Sequence, residues 1–318
     1  MPHQVHDPRR RALVEQIVAF AGDNPPDVLV ELRKRLDRVL DAEGRTGLAR
    51  LMERLASTGS DWTYYARDPL ARSIHDVVGE FVLGAESQLE GAEHLEAVRG
   101  RPAVFLANHL SYADANAFQV LLDRSGYADI GDRLTVIVGP KVYSDPMRRF
   151  SSLCFGTVKI PQSSDRASEE AVMSIKDIAR FARNALRAVD ERRKAGDVLL
   201  VFVEGTRSRT ARMQRALAAV ARYLQDPTTL LVPIGLSGLE QLFPVGKERV
   251  HATKITVRIG SPASAADLAR EASKKRQLMM DAIGTAIAAL LPPEYRGAYG
   301  DAATAYPEAA KIATRIFG

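Results

Sequence analysis

From about residue 86 onward the chain alternates short, continuously apolar runs with segments of helical period, and that alternation leaves few folds open. Pro102–Ala107 (PAVFLA), Leu134–Val138, Cys154–Ile160, Val198–Val203 (VLLVFV), Leu230–Leu236 and Lys254–Ile259 have the length and composition of strands. Between them, Asp114–Leu122, Ser168–Arg193 and Met213–Leu224 read as helices. The second places Val172, Ile175, Ile178, Ala182, Leu186 and Val189 on one face. Strands that are apolar on both sides must be covered on both sides. The pattern therefore predicts an α/β fold with a mixed, largely parallel sheet flanked by helices. A last helix is expected over 265–291, closed by Pro292-Pro293, and the tail beyond it carries no clear signal.

The first 85 residues have a different texture. Leu29, Leu32, Leu36 and Val39 recur at helical spacing, as do Leu48, Leu51, Met52 and Leu55 in a second run. A third follows Asp68-Pro69 with Leu70, Ile74, Val77, Val78 and Phe81 apolar. The expected organisation is a small N-terminal helical domain (1–85) followed by an α/β domain (86–318). Trp62, Tyr64 and Tyr65 read as packing residues of the helical part.

Charge and cysteine usage narrow the class further. One cysteine, Cys154, excludes an internal disulfide framework and fits a reducing compartment. It has no motif partner, so a buried inert thiol is expected. No histidine has metal-ligand spacing with Cys, Asp or Glu, and no metal is expected. No apolar run approaches the length that spans a bilayer, and the first 23 residues read as a short amphipathic helix, so a cytoplasmic chain without its own anchor is expected. The net charge of +5 suits anionic lipid or solubility. Dispersed Arg and Lys with 6% aromatics argue against nucleic-acid binding.

Three stretches could carry chemistry. Asn108-His109-Leu-Ser111-Tyr-Ala-Asp114 lies where an apolar strand gives way to a helix, a common position for α/β active sites. An Asp five residues after a His can fold back onto one ring nitrogen and raise the basicity of the other. Asp114 or Ser111 could equally cap the helix and leave His109 an ordinary turn residue. Glu204-Gly205-Thr206-Arg207-Ser208-Arg209 again follows a strand; its glycine, hydroxyls and guanidinium forks suit a phosphate monoester, though a solvated cationic turn reads the same. Finally, Leu230–Leu236 holds Pro233, which belongs at an edge, at a bulge or beside a site, since it removes a ladder donor.

Taken in order, NHxSxxD, FVEGTRSR and the V-P-I strand resemble the glycerolipid acyltransferase family of glycerol-3-phosphate and 1-acylglycerol-3-phosphate O-acyltransferases, over roughly residues 83–260. The resemblance implies that His109 is the general base, oriented by Asp114, and that no acyl-enzyme forms. Glu204, Gly205, Thr206, Arg207 and Arg209 would then bind the acceptor phosphate, while Asn108, Ser111 and Pro233 would shape the acyl or acceptor pocket. The family's second block departs from pattern: Gly156-Thr-Val-Lys159-Ile-Pro-Gln162 has Pro and Gln where basic residues usually fall, so Lys159 or Arg166 would supply that charge. The implied reaction takes an acyl group from acyl-coenzyme A or acyl carrier protein, with no tightly bound cofactor, to 1-acylglycerol 3-phosphate; glycerol 3-phosphate is the alternative acceptor. A non-catalytic lipid- or phosphate-binding module is the alternative role. Both substrates imply transient contact with a membrane surface, for which Leu239, Leu242 and Phe243 are candidate docking residues.

Overall fold

The computed structural model describes residues 7–22, 24–161, 174–244, 246 and 249–318. Helices α1 (Pro8–Phe20), α2 (Pro26–Ser57) and α3 (Pro69–Val82) lead in, with strand β1 (Tyr64–Tyr65) before α3. The chain continues through β2 (Gln88–Glu90), β3 (Ala103–Ala107), α4 (Asp114–Arg124), β4 (Leu134–Val138) and β5 (Gly156–Lys159). After the helix Ile175–Lys194 come β6 (Val198–Phe202), β7 (Leu230–Ser237), β8 (Thr256–Ile259) and β9 (Ala263–Ser264).

These nine strands form one sheet in the order β1-β5-β4-β6-β3-β7-β8-β2, with β9 also on β7. Its centre, β5-β4-β6-β3-β7, is parallel throughout; β1, β9 and the β7–β8 pair supply the antiparallel ladders. The strand period of two divides the core into two layers. Ala103, Phe105 and Ala107 of β3 join the cluster that includes Leu13, Leu32, Leu36, Leu51 and Ile74 of the N-terminal helices. Val104 and Leu106 join the opposite cluster with Ile283, Ile287, Ile312 and Phe317. The N-terminal helices thus share one core with the sheet, and the 1–85 segment, expected to be all helical, lends it β1.

Local chemistry explains the element ends. Asp68 caps α3 by accepting from the amides of Leu70 and Ala71, and Pro69 sits where no amide partner is needed. The Asp68 side chain is fully buried, and Arg50 and Arg54 of α2 balance its charge at 3.1 and 3.2 Å. Within α2, Gly44 (φ 67°) breaks the helix, which separates the two apolar runs read from sequence.

Several expectations need correction. Met213–Leu224 is not an α-helix: only Ala218–Leu224 coils, as a 3₁₀ segment. The amides of Met213, Gln214, Ala216 and Leu217 instead donate to Tyr295, Glu204, Tyr299 and Val203, which removes them from any helical ladder. The helix expected over 265–291 breaks into Ala265–Glu271 and Arg276–Ala289, with Ser273 and Lys274 at positive φ. The tail forms a further helix, Pro307–Phe317, packed into the second layer. Ser168–Arg193 is helical from Ile175, capped by Ser174; its start, with Arg166, Gln162 and Val172, lies outside the described residues. Leu239 and Leu242 are buried in the core and are not available for membrane docking; Phe243 sits edge-on to Phe20 at 5.5 Å. Trp62 stacks on Phe181 at 4.8 Å, which makes it a packing residue.

Among the described residues, no helix is long and apolar enough to cross a membrane.

Candidate active site

Two loops meet because their strands are neighbours. β3 and β6 run parallel, with Ala107 opposite Phe202, so the segments that follow both leave the sheet at one level. Backbone bonds then lace them together: Val203 donates to the Ala107 carbonyl at 3.0 Å and Ser208 to the His109 carbonyl at 2.8 Å.

The first loop folds back on itself. Asp114, the first residue of α4, turns its buried side chain so that Oδ2 lies 2.8 Å from His109 Nδ1 and accepts from the Leu110 amide at 2.7 Å. A carboxylate only accepts, so Nδ1 carries the proton and Nε2 is left as the basic nitrogen. The imidazole lies nearly flat on Phe202, with centroids 4.1 Å apart and 15° between planes. The sequence reading missed Phe202. Its place at the head of the FVEGTRSR stretch, two residues before Glu204, was the available signal, but nothing in the pattern marks a stacking role.

Glu204 is fully buried, and its carboxylate accepts from the amides of His109 (2.8 Å) and Gln214 (2.7 Å). Expected at the acceptor phosphate, it instead fixes the backbone that carries the base. Gly205 follows at φ 65°, a conformation natural to glycine, and turns the chain towards the arginines.

A cavity of about 310 Å³ opens beside His109, with Ser111, Gly205, Thr206, Arg207, Arg209 and Arg148 in its lining and, among the described residues, no Asp or Glu. Its electrostatics suit a polyanion. A second cavity of about 790 Å³ adjoins it and shares Tyr112, Arg148, Ser151 and Arg207. Its walls are largely apolar: Ile17 and Phe20 of α1, Val78 and Val82 of α3, Leu242 and Phe243.

Three other expected residues lie outside both linings. Asn108 is buried and clamps Leu236 of β7, donating to its carbonyl at 3.0 Å and accepting from its amide at 2.8 Å. Pro233 pairs with Leu106 inside the sheet. Its carbonyl accepts from Gly260 at 2.9 Å, so its nitrogen faces the break between β8 and β9, where no ladder donor is lost. Lys159 is a correction. Its ammonium donates to the Gly59 carbonyl and sits 4.3 Å above the Trp62 ring, turned away from the anionic site, and burial lowers its pKa. Ser111 does line the smaller cavity, its hydroxyl held between the Phe243 carbonyl (3.4 Å) and the Ala113 amide (3.2 Å). Cys154 is fully buried, and burial pushes its thiol pKa up, as an inert thiol requires.

Both loops fall inside the stretch that matches a known family model, that of the acyltransferases, over residues 86–237. Residues 86–237 belong to the acyltransferase family. Among solved structures, the chain is similar to the 1-acyl-sn-glycerophosphate (LPA) acyltransferase PlsC from Thermotoga maritima, at 14% identity and a TM-score of 0.45, over 80% of this chain and 87% of that one. A comparison with curated proteins finds no match. The arrangement supplies an oriented base, a cationic recess and an apolar recess in contact with one another.

Proposed function

We propose that this acyltransferase moves a fatty acyl group from a thioester to the free hydroxyl of 1-acylglycerol 3-phosphate. The observation that carries the reading is the place of His109, at a cavity lined with arginines that opens onto a larger apolar one. His109 Nε2 takes the hydroxyl proton while Asp114 holds the ring and balances the imidazolium. The oxygen attacks the thioester carbonyl, the new C–O bond forms, and the C–S bond breaks as the tetrahedral intermediate collapses. The departing sulfur receives the proton from the imidazolium, so the base is restored and no acyl-enzyme is required. Arg207 and Arg209 hold the acceptor phosphate, and the apolar cavity takes an acyl chain. A lipid acceptor suits that larger volume better than glycerol 3-phosphate does. The donor is acyl-coenzyme A or acyl carrier protein, and both substrates bring the enzyme to the cytoplasmic face of a membrane as a peripheral protein.

Free-thiol release tests the reading, with each donor offered alongside each acceptor and His109→Ala as control. Release that depends on 1-acylglycerol 3-phosphate and vanishes in the variant is expected. Faster release with glycerol 3-phosphate would reassign the acceptor. No release with any pairing would leave a binding module.

A further inference from the structure

One ring carries two guanidiniums. The Arg148 Cζ lies 4.7 Å from the Tyr112 centroid and the Arg207 Cζ 4.5 Å from it, and all three residues line both cavities. Arg207 belongs to the EGTR motif, whereas Arg148 lies on the short helix Pro146–Ser152, outside the three motif stretches. Its neighbour Arg149 is fully engaged, donating to the carbonyls of Tyr143 and Leu55. Among the described residues the one carboxylate that pairs with the Arg148 side chain is Asp145, at 3.7 Å, beyond hydrogen-bond length. Among the described residues Arg207 has no ion-pair partner, and no carboxylate lines the smaller cavity. Two cations gathered on one ring repel each other until a dianion lies between them.

Resting on the acyl-transfer reading above, we propose that Arg148 is the second cation gripping the phosphate monoester of the acceptor. Tyr112 is the positioning residue that aims Arg148 and Arg207 at one dianion. The role left open when Lys159 turns away is thereby filled from another element. The aromatic face rather than the hydroxyl holds the pair, so a phenylalanine serves equally well. A phosphate held at the junction leaves the glycerol hydroxyl within the cavity that His109 lines.

A phosphate monoester also occurs on coenzyme A, so the test separates the two sources. Calorimetric titration of the full chain uses glycerol 3-phosphate, the head group shared by both acceptors, and coenzyme A in a parallel series. Arg148→Gln and Tyr112→Leu are expected to weaken glycerol 3-phosphate by roughly 10- to 100-fold, the range of a charge-assisted hydrogen bond. Tyr112→Phe stays within about threefold of wild type, and coenzyme A binding is unchanged. Wild-type affinity in Arg148→Gln, or a loss confined to coenzyme A, overturns the assignment. Equal loss in Tyr112→Phe and Tyr112→Leu overturns the role of the ring. If Arg148→Gln does not fold, Arg148→Lys replaces it; a smaller loss is expected there, because the charge remains without the planar fork, and no loss overturns the assignment. Binding needs no turnover: the expected titrations in a protein that releases no thiol sustain the clamp and remove the transfer reading. Normal turnover with unaltered Arg148→Gln affinity does the reverse.

Discussion

His109 is fixed in two dimensions at once, by Phe202 beneath its ring at 4.1 Å and by Asp114 at its edge at 2.8 Å. A hydrogen bond alone leaves the imidazole free to swing about the Nδ1–Oδ2 line, and the stack removes that freedom. Phe202→Ala is expected to lower kcat by roughly 10- to 100-fold, the cost of a base displaced by about an ångström, with little change in acceptor KM. Phe202→Tyr keeps the stack and the rate. Steady-state thiol release reads both.

Asp114 accepts from two N–H groups through one oxygen; an asparagine oxygen at that place could accept both but carries no charge to balance the imidazolium. In Asp114→Asn the side chain either keeps both bonds through its oxygen and loses the charge that stabilises the imidazolium, or turns its NH2 inward, so that the Leu110 amide loses its acceptor and the imidazole is pushed into the opposite tautomer. The expected fall in kcat is on the order of 10³- to 10⁴-fold, with the fold retained by circular dichroism. A loss of less than tenfold would remove Asp114 from the mechanism.

Glu204 and Arg207 stand three residues apart in the same motif and should separate cleanly. Replacing Glu204 with Gln sets an amide donor against the His109 or Gln214 amide, leaving a buried N–H unpaired; a stability loss of about 2 kcal/mol or more is expected by urea unfolding. Arg207→Ala touches no such bond and should leave the unfolding midpoint in place while raising the acceptor KM.

Lys159 offers a pH test. Burial lowers its folded-state pKa below its unfolded value, so in the alkaline window beneath the ordinary lysine pKa the unfolded chain binds more protons. Stability contributed at this site therefore rises with pH across that window. Wild type should gain relative to Lys159→Met as the pH rises towards the ordinary lysine pKa of about 10.4, read by urea unfolding, and acceptor KM should be the same in both. A raised KM in the variant would return Lys159 to the anionic site.

The strands were legible because buried parallel strands are apolar without interruption: β3 and β6 fall inside the runs read for them. What periodicity could not convey is where an amide goes when it leaves its own helix. Met213–Leu217 has helical spacing, yet its amides are drawn to Tyr295, Glu204, Tyr299 and Val203, partners distant in sequence. The site shows the same division. His109 and Asp114 were readable because a five-residue turn is local. Asn108 and Glu204 were assigned to substrate because their polar ends look alike whether they meet a ligand or a backbone. Arg148 gave no signal and Phe202 only its place in the FVEGTRSR stretch, since a cation in a helix or an aromatic at a strand end is ordinary.

The register of Ala107 against Phe202 has one more consequence. Two loops that leave neighbouring parallel strands at the same rung have their separation in space set by the strand spacing alone, about 4.8 Å in the hydrogen-bonding direction. The ninety-odd residues of chain between them do not enter that distance. Lengthening or shortening the excursion that carries β4 and β5 changes the flank of the molecule and leaves His109, Arg207 and Arg209 where they were; of the cations at the site, Arg148 is one that such a change would move.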